Sequence, residues 1–253
     1  MERDLERYAT DYLADYGFER WQVQYRREAL LRNVADRFAG AVLEVGCGIE
    51  PLFMHAPPVQ AWHVIEPARA FADRARHVAA DQPHAQRHVD VHEGLLEDRV
   101  EPLRRACPAG FDLVIASALI QEIPDPTRFL AALATVVRPG GWLYLDASNA
   151  GSLHRRMAVE MGLLERLDTP SARALRMQRR AVYDLPHLVQ EVEEAGFRVE
   201  RTGGILLKPF EHARMERALD TGVIEPAHLD AFARLGEQYP DLASEIWILA
   251  SHA

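Results

Sequence analysis

The run Val42-Leu43 leads directly into Glu44-Val45-Gly46-Cys47-Gly48, the segment whose residue types and spacing best suit a ligand. Two glycines at that spacing let the backbone turn tightly and approach a bound molecule with no Cβ between them. In an open α/β sheet such a turn lies beyond the carboxyl end of a strand, where ligands bind. About twenty residues on, Val64-Ile65-Glu66-Pro67 closes a second apolar run. It sets a carboxylate where it can accept both hydroxyls of a ribose, or stand at a helix start, where the dipole favours it. A third segment, Glu93-Gly94-Leu95-Leu96-Glu97, offers the backbone groups and apolar side chains that clamp an adenine.

A nicotinamide-dinucleotide site shares the ribose acid but needs G-x-G-x-x-G, so that a pyrophosphate rests on a helix N-terminus. Here Ile49, Glu50 and Pro51 follow Gly48. A carboxylate at Glu50, beside the expected helix start, repels a pyrophosphate but tolerates a sulfonium and an ammonium group. Candidates for the acceptor side are residues just past the later strands. Ser117 and Glu122 follow the fourth, and Ser148, Asn149 and His154 follow the fifth. Glu122 suits attraction of an amine, a base, or an ion pair; His154 has the pKa range of a base, or is a packed histidine. Tyr25 or Arg26 either folds over the site to meet a carboxylate or packs with Trp21 into the core. Lys208 is a further possible anion contact.

Short apolar runs alternate with longer helical patterns, the signature of a parallel sheet with crossover helices. The strands are expected at Ala41 to Val45, Ala61 to Glu66, Gln86 to Val91, Phe111 to Ala116, Trp142 to Ala147, Phe197 to Thr202 and Glu245 to Ser251. Helical patterns cover two segments before Ala39, then Ala68 to Ala80, Val100 to Ala106, Pro126 to Val137, Ser152 to Arg166, Ser171 to Val182 and Pro186 to Ala195. Two more lie between Pro209 and Asp241. Asp125 and Pro126 form a helix start, and Pro139-Gly140-Gly141 a turn. The expected layout is a helical N-terminal lid (1–40), a ligand-binding domain (41–206 and 244–253) and a helical insertion or cap (207–243).

The 253 residues, 48% hydrophobic and 26% charged, suit an ordinary folded domain. A net charge of -9 disfavours nucleic acid as a partner, because a phosphate-binding face needs clustered Lys and Arg. The cluster Arg173 to Arg180 reads as a solvated helix face. Two cysteines are no disulfide framework. Met1-Glu2-Arg3-Asp4 lacks a signal peptide's apolar core, and no run approaches the roughly 18 apolar residues of a membrane span. A cytoplasmic protein is expected, with no membrane partner. The histidines His77, His84, His88 and His92 lack a metal-site spacing, and no metal is expected.

These segments together resemble the class I S-adenosylmethionine-dependent methyltransferases, over roughly 32–202 plus the last strand, and most of all their bacterial small-molecule group. The resemblance implies a Rossmann-like sheet of seven strands, mostly parallel, with helices on both faces and the last strand antiparallel. It implies S-adenosylmethionine as cofactor: Glu44 and the backbone of Gly46, Cys47 and Gly48 at its methionine end, Glu66 with Pro67 at the ribose, and Leu95-Leu96 at the adenine. Tyr25 and Ser117 complete that set. Arg26, Glu50, Ser148 and Asn149 fall to a small-molecule acceptor, and Glu122 and His154 to catalysis. Phe111 to Ala116, Ile120 to Pro126, Val137 to Leu143 and Glu194 to Phe197 match later motifs in the family's order. The chain departs where Glu50 replaces a frequent third glycine and Glu122 replaces a frequent histidine; the N-P-P-Y tetrad of amino-methyltransferases is absent. The expected reaction is methyl transfer to oxygen or nitrogen. The alternative is a protein of this fold that methylates a protein or holds the nucleoside without turnover.

Overall fold

The computed structural model describes residues 4–14, 16–81, 84–86, 88–179 and 181–253. Met1 to Arg3, Arg87 of the expected third strand and Arg180 of the basic cluster lie outside them. Two helices open the chain, α1 (Leu5–Ala14) and α2 (Glu19–Asn33). Strand β1 (Ala41–Val45) follows, then β2 (Ala61–Glu66), α3 (Arg69–Asp81), β3 (Val89–Glu93), α4 (Leu96–Ala106) and β4 (Phe111–Ala116). Next come α5 (Pro126–Val136), β5 (Val137–Ser148), α6 (Leu153–Glu160), α7 (Ala172–Arg176), α8 (Leu185–Glu194) and β6 (Phe197–Ile205). Helices α9 (His212–Asp220) and α10 (Pro226–Gln238) precede β7 (Glu245–His252). The sheet order is β3-β2-β1-β4-β5-β7-β6. All pairings through β5 are parallel, and β7 runs antiparallel to both neighbours. The Rossmann-like sheet with an antiparallel last strand is thus as the sequence implied.

Successive strand side chains point to opposite faces, and that parity sorts the chain into two cores. Leu43, Val45, Ile65, Val114, Leu143 and Ile248 pack with Leu103 of α4, Leu130 of α5 and Leu188 of α8. Val42, Trp62, Val64, Ile115, Tyr144 and Leu249 pack on the other face with Leu30 of α2, Val78 of α3, Met215 of α9 and Leu229 of α10. Full burial of one such apolar side chain is worth about 1.5–3 kcal/mol. The same parity gives the second face a row of carboxylates: Glu44 follows Val42, Glu66 follows Val64, Asp146 follows Tyr144, and Glu245 precedes Trp247. All four are buried.

Several boundaries differ from expectation, each for a local reason. Strand β3 starts at Val89 because Gln86 is spent on stapling a loop: its amide accepts from Val59 N and donates to Pro57 O. Helix α6 stops at Glu160, two residues before Gly162 at φ 69°, a left-handed terminator. Helix α7 is only five residues, and Gln178 at φ 54° turns the chain soon after it. Helix α4 begins at Leu96, earlier than expected. Pro139-Gly140-Gly141 is a bulge inside β5, since Val137 already pairs with Phe111 before Trp142 meets Leu113. Helix α5 starts as expected: Asp125 accepts from Arg128 N at 3.0 Å, with Pro126 in the first turn. No α-helix follows the glycine turn; only a 3-10 turn forms, over Leu52–Met54.

Helix α2 is fastened to the carboxylate row by Arg26. Its Nε donates to Glu245 Oε2 at 2.9 Å and its Nη2 to Glu245 Oε1 and, at 3.2 Å, to Glu19. Asp146 Oδ1 lies 3.8 Å from Nε. Removing one member of a buried ion cluster leaves uncompensated charge. Arg26→Met is therefore expected to lower the unfolding free energy by about 3–5 kcal/mol, measured by urea denaturation. A loss below about 1 kcal/mol, the range of surface pairs, would show that Arg26 is no anchor.

Candidate active site

From β1 the chain turns outward to β2 and β3, then returns to β4 on the other side of β1. A crevice therefore opens at the carboxyl ends of β1 and β4, the switch point of the sheet. Gly46 at φ 75° and Gly48 at φ 56° carry the chain across it in a conformation that favours glycine. A Cβ on Gly48 would meet nothing within 4 Å, so the space beside this turn is open. Cys47 is buried between them, and burial raises its thiol pKa well above the ordinary value.

Glu66 ends β2 against the same turn. Its Oε1 accepts from Ala68 N at 2.8 Å, and its Oε2 from Gly48 N at 3.2 Å. The helix-start role and the glycine-turn role thus coexist in one side chain. Pro67 lines the cleft beside it. Glu44 also lines the cleft, but its oxygens brace the loop: Oε1 accepts from Leu52 N at 2.8 Å and Oε2 from Trp62 Nε1 at 3.1 Å. Burial pushes its carboxyl up to about 7, against the pull of those donors.

The opposite wall follows β4. Ser117 Oγ donates to Asp146 Oδ2 at 2.6 Å, and Ala118 N to Oδ1 at 2.7 Å. That second bond holds Ala118 at φ 53°, a left-handed geometry costing a non-glycine residue about 1–3 kcal/mol. Glu122, also buried, accepts from Arg179 Nε and from Tyr8 Oη, each at 3.4 Å. It faces the cleft as half of an ion pair.

Helical phase decides which side chains of α2 reach the cleft. Val23, Arg26, Arg27 and Leu30 do, at the i, i+3, i+4, i+7 spacing of one face. Tyr25 does not: its hydroxyl donates to Asp230 Oδ1 of α10 at 2.7 Å. Tyr8, Tyr12 and Tyr16 border the cleft in its place. Glu50 stands at the lip, where Arg27 Nη1 donates to it at 2.7 Å and Tyr16 Oη at 3.4 Å. The charge expected to repel a pyrophosphate is thus partnered.

Other expected site residues lie elsewhere. Leu95 is exposed beside α4, and Leu96 packs into the opposite core; the apolar side chains at the ligand end of β2 are Ala68 and Phe71. Ser148, Asn149, His154 and Lys208 line a second cavity. Asn149 Nδ2 is engaged by the carbonyls of Pro240, Asp241 and Ala243. Burial, with Lys208 and Arg155 nearby, lowers the His154 pKa well below the ordinary value, so its ring is neutral. Sequence reasoning overlooked Asp146, Glu19 and Glu245, and it read Arg173 and Arg179 as part of a solvated helix face, whereas they pair with Glu19 and Glu122. Asp146 alone left a signal, as the one charged residue within Leu143-Tyr144-Leu145-Asp146-Ala147.

The family model described as a methyltransferase domain matches residues 16–202. A ubiquinone biosynthesis O-methyltransferase from Thiobacillus denitrificans is 25% identical over 138 residues, covering 52% of this chain and 56% of that protein. The chain spans about half the length of the curated relatives it matches. Among solved structures, an S-adenosylmethionine-dependent methyltransferase from Mesorhizobium loti superposes with a TM-score of 0.59 at 14% identity, over 90% of this chain and 98% of that one. A protein described as a 4+2 cyclase superposes with a TM-score of 0.55 at 17% identity, over 88% and 80%. These likenesses show the fold, which hosts more than one kind of chemistry.

Glu44 makes stability depend on pH. Its folded pKa of about 7 exceeds an unfolded value near 4.5, so its contribution is full below 4.5 and is lost as pH rises to 7. At 1.36 kcal/mol per unit the change is about 3 kcal/mol. Urea denaturation between pH 4.5 and 8 is expected to show a decline that Glu44→Gln flattens. Equal slopes in both proteins would refute it.

Proposed function

Because the chain belongs to the methyltransferase-domain family, we propose that it binds S-adenosylmethionine in this cleft and transfers the methyl group to an oxygen or nitrogen of a small molecule. The observation that carries this reading is the meeting of Glu66 with the Gly46-Cys47-Gly48 turn at the switch point of the sheet. The residues present fit that cofactor. Glu66 offers acceptors to ribose hydroxyls, the turn leaves open space beside Gly48, and Glu19, Glu44, Glu50, Glu66 and Glu122 outnumber Arg26, Arg27 and Arg179 in the cleft, an acidic balance suited to a cationic ligand.

When bound, S-adenosylmethionine would supply a methyl carried on a sulfonium for transfer to an acceptor oxygen or nitrogen, with S-adenosylhomocysteine and a proton as the other products. The chain's own work is alignment and exclusion of solvent. Alignment of two bound reactants is worth about 7–11 kcal/mol. A base adds about 10²–10⁴-fold, and only for an acceptor that starts protonated. Glu122 is held in its ion pair with Arg179, and His154 does not line the cleft. Positioning is therefore the main contribution. We assign 1–40 as the lid, because Tyr8, Tyr12, Tyr16 and the Arg26 face of α2 close the cleft. The 207–243 segment is assigned as a cap over the second cavity, to which it brings Lys208, Phe210 and His212. The oxygen acceptor of the named relatives supports a small-molecule substrate. Free Cys47 and Cys107 suit a cytoplasmic setting, and no helix among the described residues is long and apolar enough to cross a membrane.

Calorimetric titration with S-adenosylhomocysteine is expected to show saturable one-to-one binding. Glu66→Ala should weaken it about 10–100-fold, the worth of hydrogen bonds to a charged group. Failure of the wild-type chain to bind would overturn the reading.

A further inference from the structure

A cavity of about 380 Å³ lies beside the cofactor cleft, within the size range of small-molecule pockets. Arg179 lines both spaces. Helix α2 lines both too, with Gln22 on the cavity and Glu19, Val23 and Arg26 on the cleft. Their charges are opposite. The cleft is rich in carboxylates, whereas the charged side chains of the cavity are Arg155, Arg173, Arg179, Lys208 and Arg214 against Glu211, among the described residues other than histidines.

Not all of these cations are available to a ligand. Arg155 donates to the carbonyls of Leu167 and Thr169, and Arg214 lies 3.7 Å from Glu211. Arg173 and Arg179 pair with Glu19 and Glu122, both carboxylates of the cleft side. Lys208 is buried, and its Nζ donates to Gln22 Oε1 at 2.9 Å. The same oxygen sits 2.9 Å from His212 Nε2, so one amide carbonyl serves both groups. Burial pushes the Lys208 ammonium down to about 7, against the pull of Glu19 and Glu245. Facing this end is an apolar wall of Met157, Ala158, Met161, Leu163 and Leu164. Met161 and Leu163 are 54% and 63% exposed, so the wall runs out to the surface. Methionines adapt to ligands of varied shape.

We propose that this cavity is the acceptor pocket and that it takes a small amphipathic carboxylate, its anion against Lys208 and its apolar body along the Met157–Leu164 wall. The inference rests on the methyl-transfer reading and names the class of its acceptor. Arg179 and helix α2 form the wall common to both spaces. Opposite charge in the two spaces then sorts the reactants: the cation enters one and the anion the other.

The test is calorimetric titration with octanoate and with 1-octanol, on the chain alone and saturated with S-adenosylhomocysteine. Octanoate is expected to bind about tenfold or more tightly than the uncharged alcohol. Lys208→Gln, which keeps a donor for Gln22, should erase that preference. Leu163→Asp, an exposed position, should weaken octanoate binding. Equal binding of the two probes, no octanoate binding, or an unchanged preference in Lys208→Gln would overturn the proposal. Octanoate binding by a chain that ignores S-adenosylhomocysteine would uphold the anion pocket and sink the methyl-transfer reading instead.

Discussion

The arrangement depends on one buried guanidinium. Arg26 leaves α2, the helix nearest the cleft, and ends among Glu19, Asp146 and Glu245. Asp146 in turn binds Ser117 Oγ and the Ala118 amide. Lid helix, central sheet and the loop after β4 are thus joined through two side chains. In a low-dielectric interior such bonds are strong when all members are present and destabilising when one is missing. The wall of the cleft is therefore only as well placed as the helix that covers it. Strand parity makes this possible, because it delivers Glu44, Glu66, Asp146 and Glu245 to one face of the sheet.

How much of this was legible in the sequence follows from the kind of force involved. The strands and the glycine turn were readable because apolar period and backbone freedom are local properties. Glu66 was readable for the same reason, standing at the end of one such strand. Tyr25 was misplaced because a single aromatic carries no phase; the set Val23, Arg26, Arg27 and Leu30 does, and it puts Tyr25 against Asp230. Leu95 and Leu96 were misplaced because the loop after β3 enters α4 at once, turning Leu96 into the opposite core. Glu245 was unreadable in principle: its meaning lies in a pairing with Arg26 that only the folded sheet creates.

Glu50 shows how a correct inference can rest on an incomplete picture. Its negative charge argued against a pyrophosphate, yet Arg27 neutralises much of it at the lip. A second obstacle is structural. Directly beyond the glycine turn the chain makes only a 3-10 turn at Leu52–Met54, so no long helix following that turn directs its N-terminal amides at it. The excess acid of the chain is likewise not spread evenly, since carboxylates collect at the cleft and basic side chains at the neighbouring cavity.

The antiparallel placement of β7 also bears on the order of assembly. Arg26 and Glu245 are separated by 219 positions along the chain, and contacts of such span form late because loop closure must precede any gain from them. Until β7 pairs with β5 and β6, the guanidinium of α2 lacks its main counter-charge. A nascent or partly unfolded chain can shape the glycine turn and still have no closed cleft. Closure of the cleft is thereby tied to the last strand to join the chain.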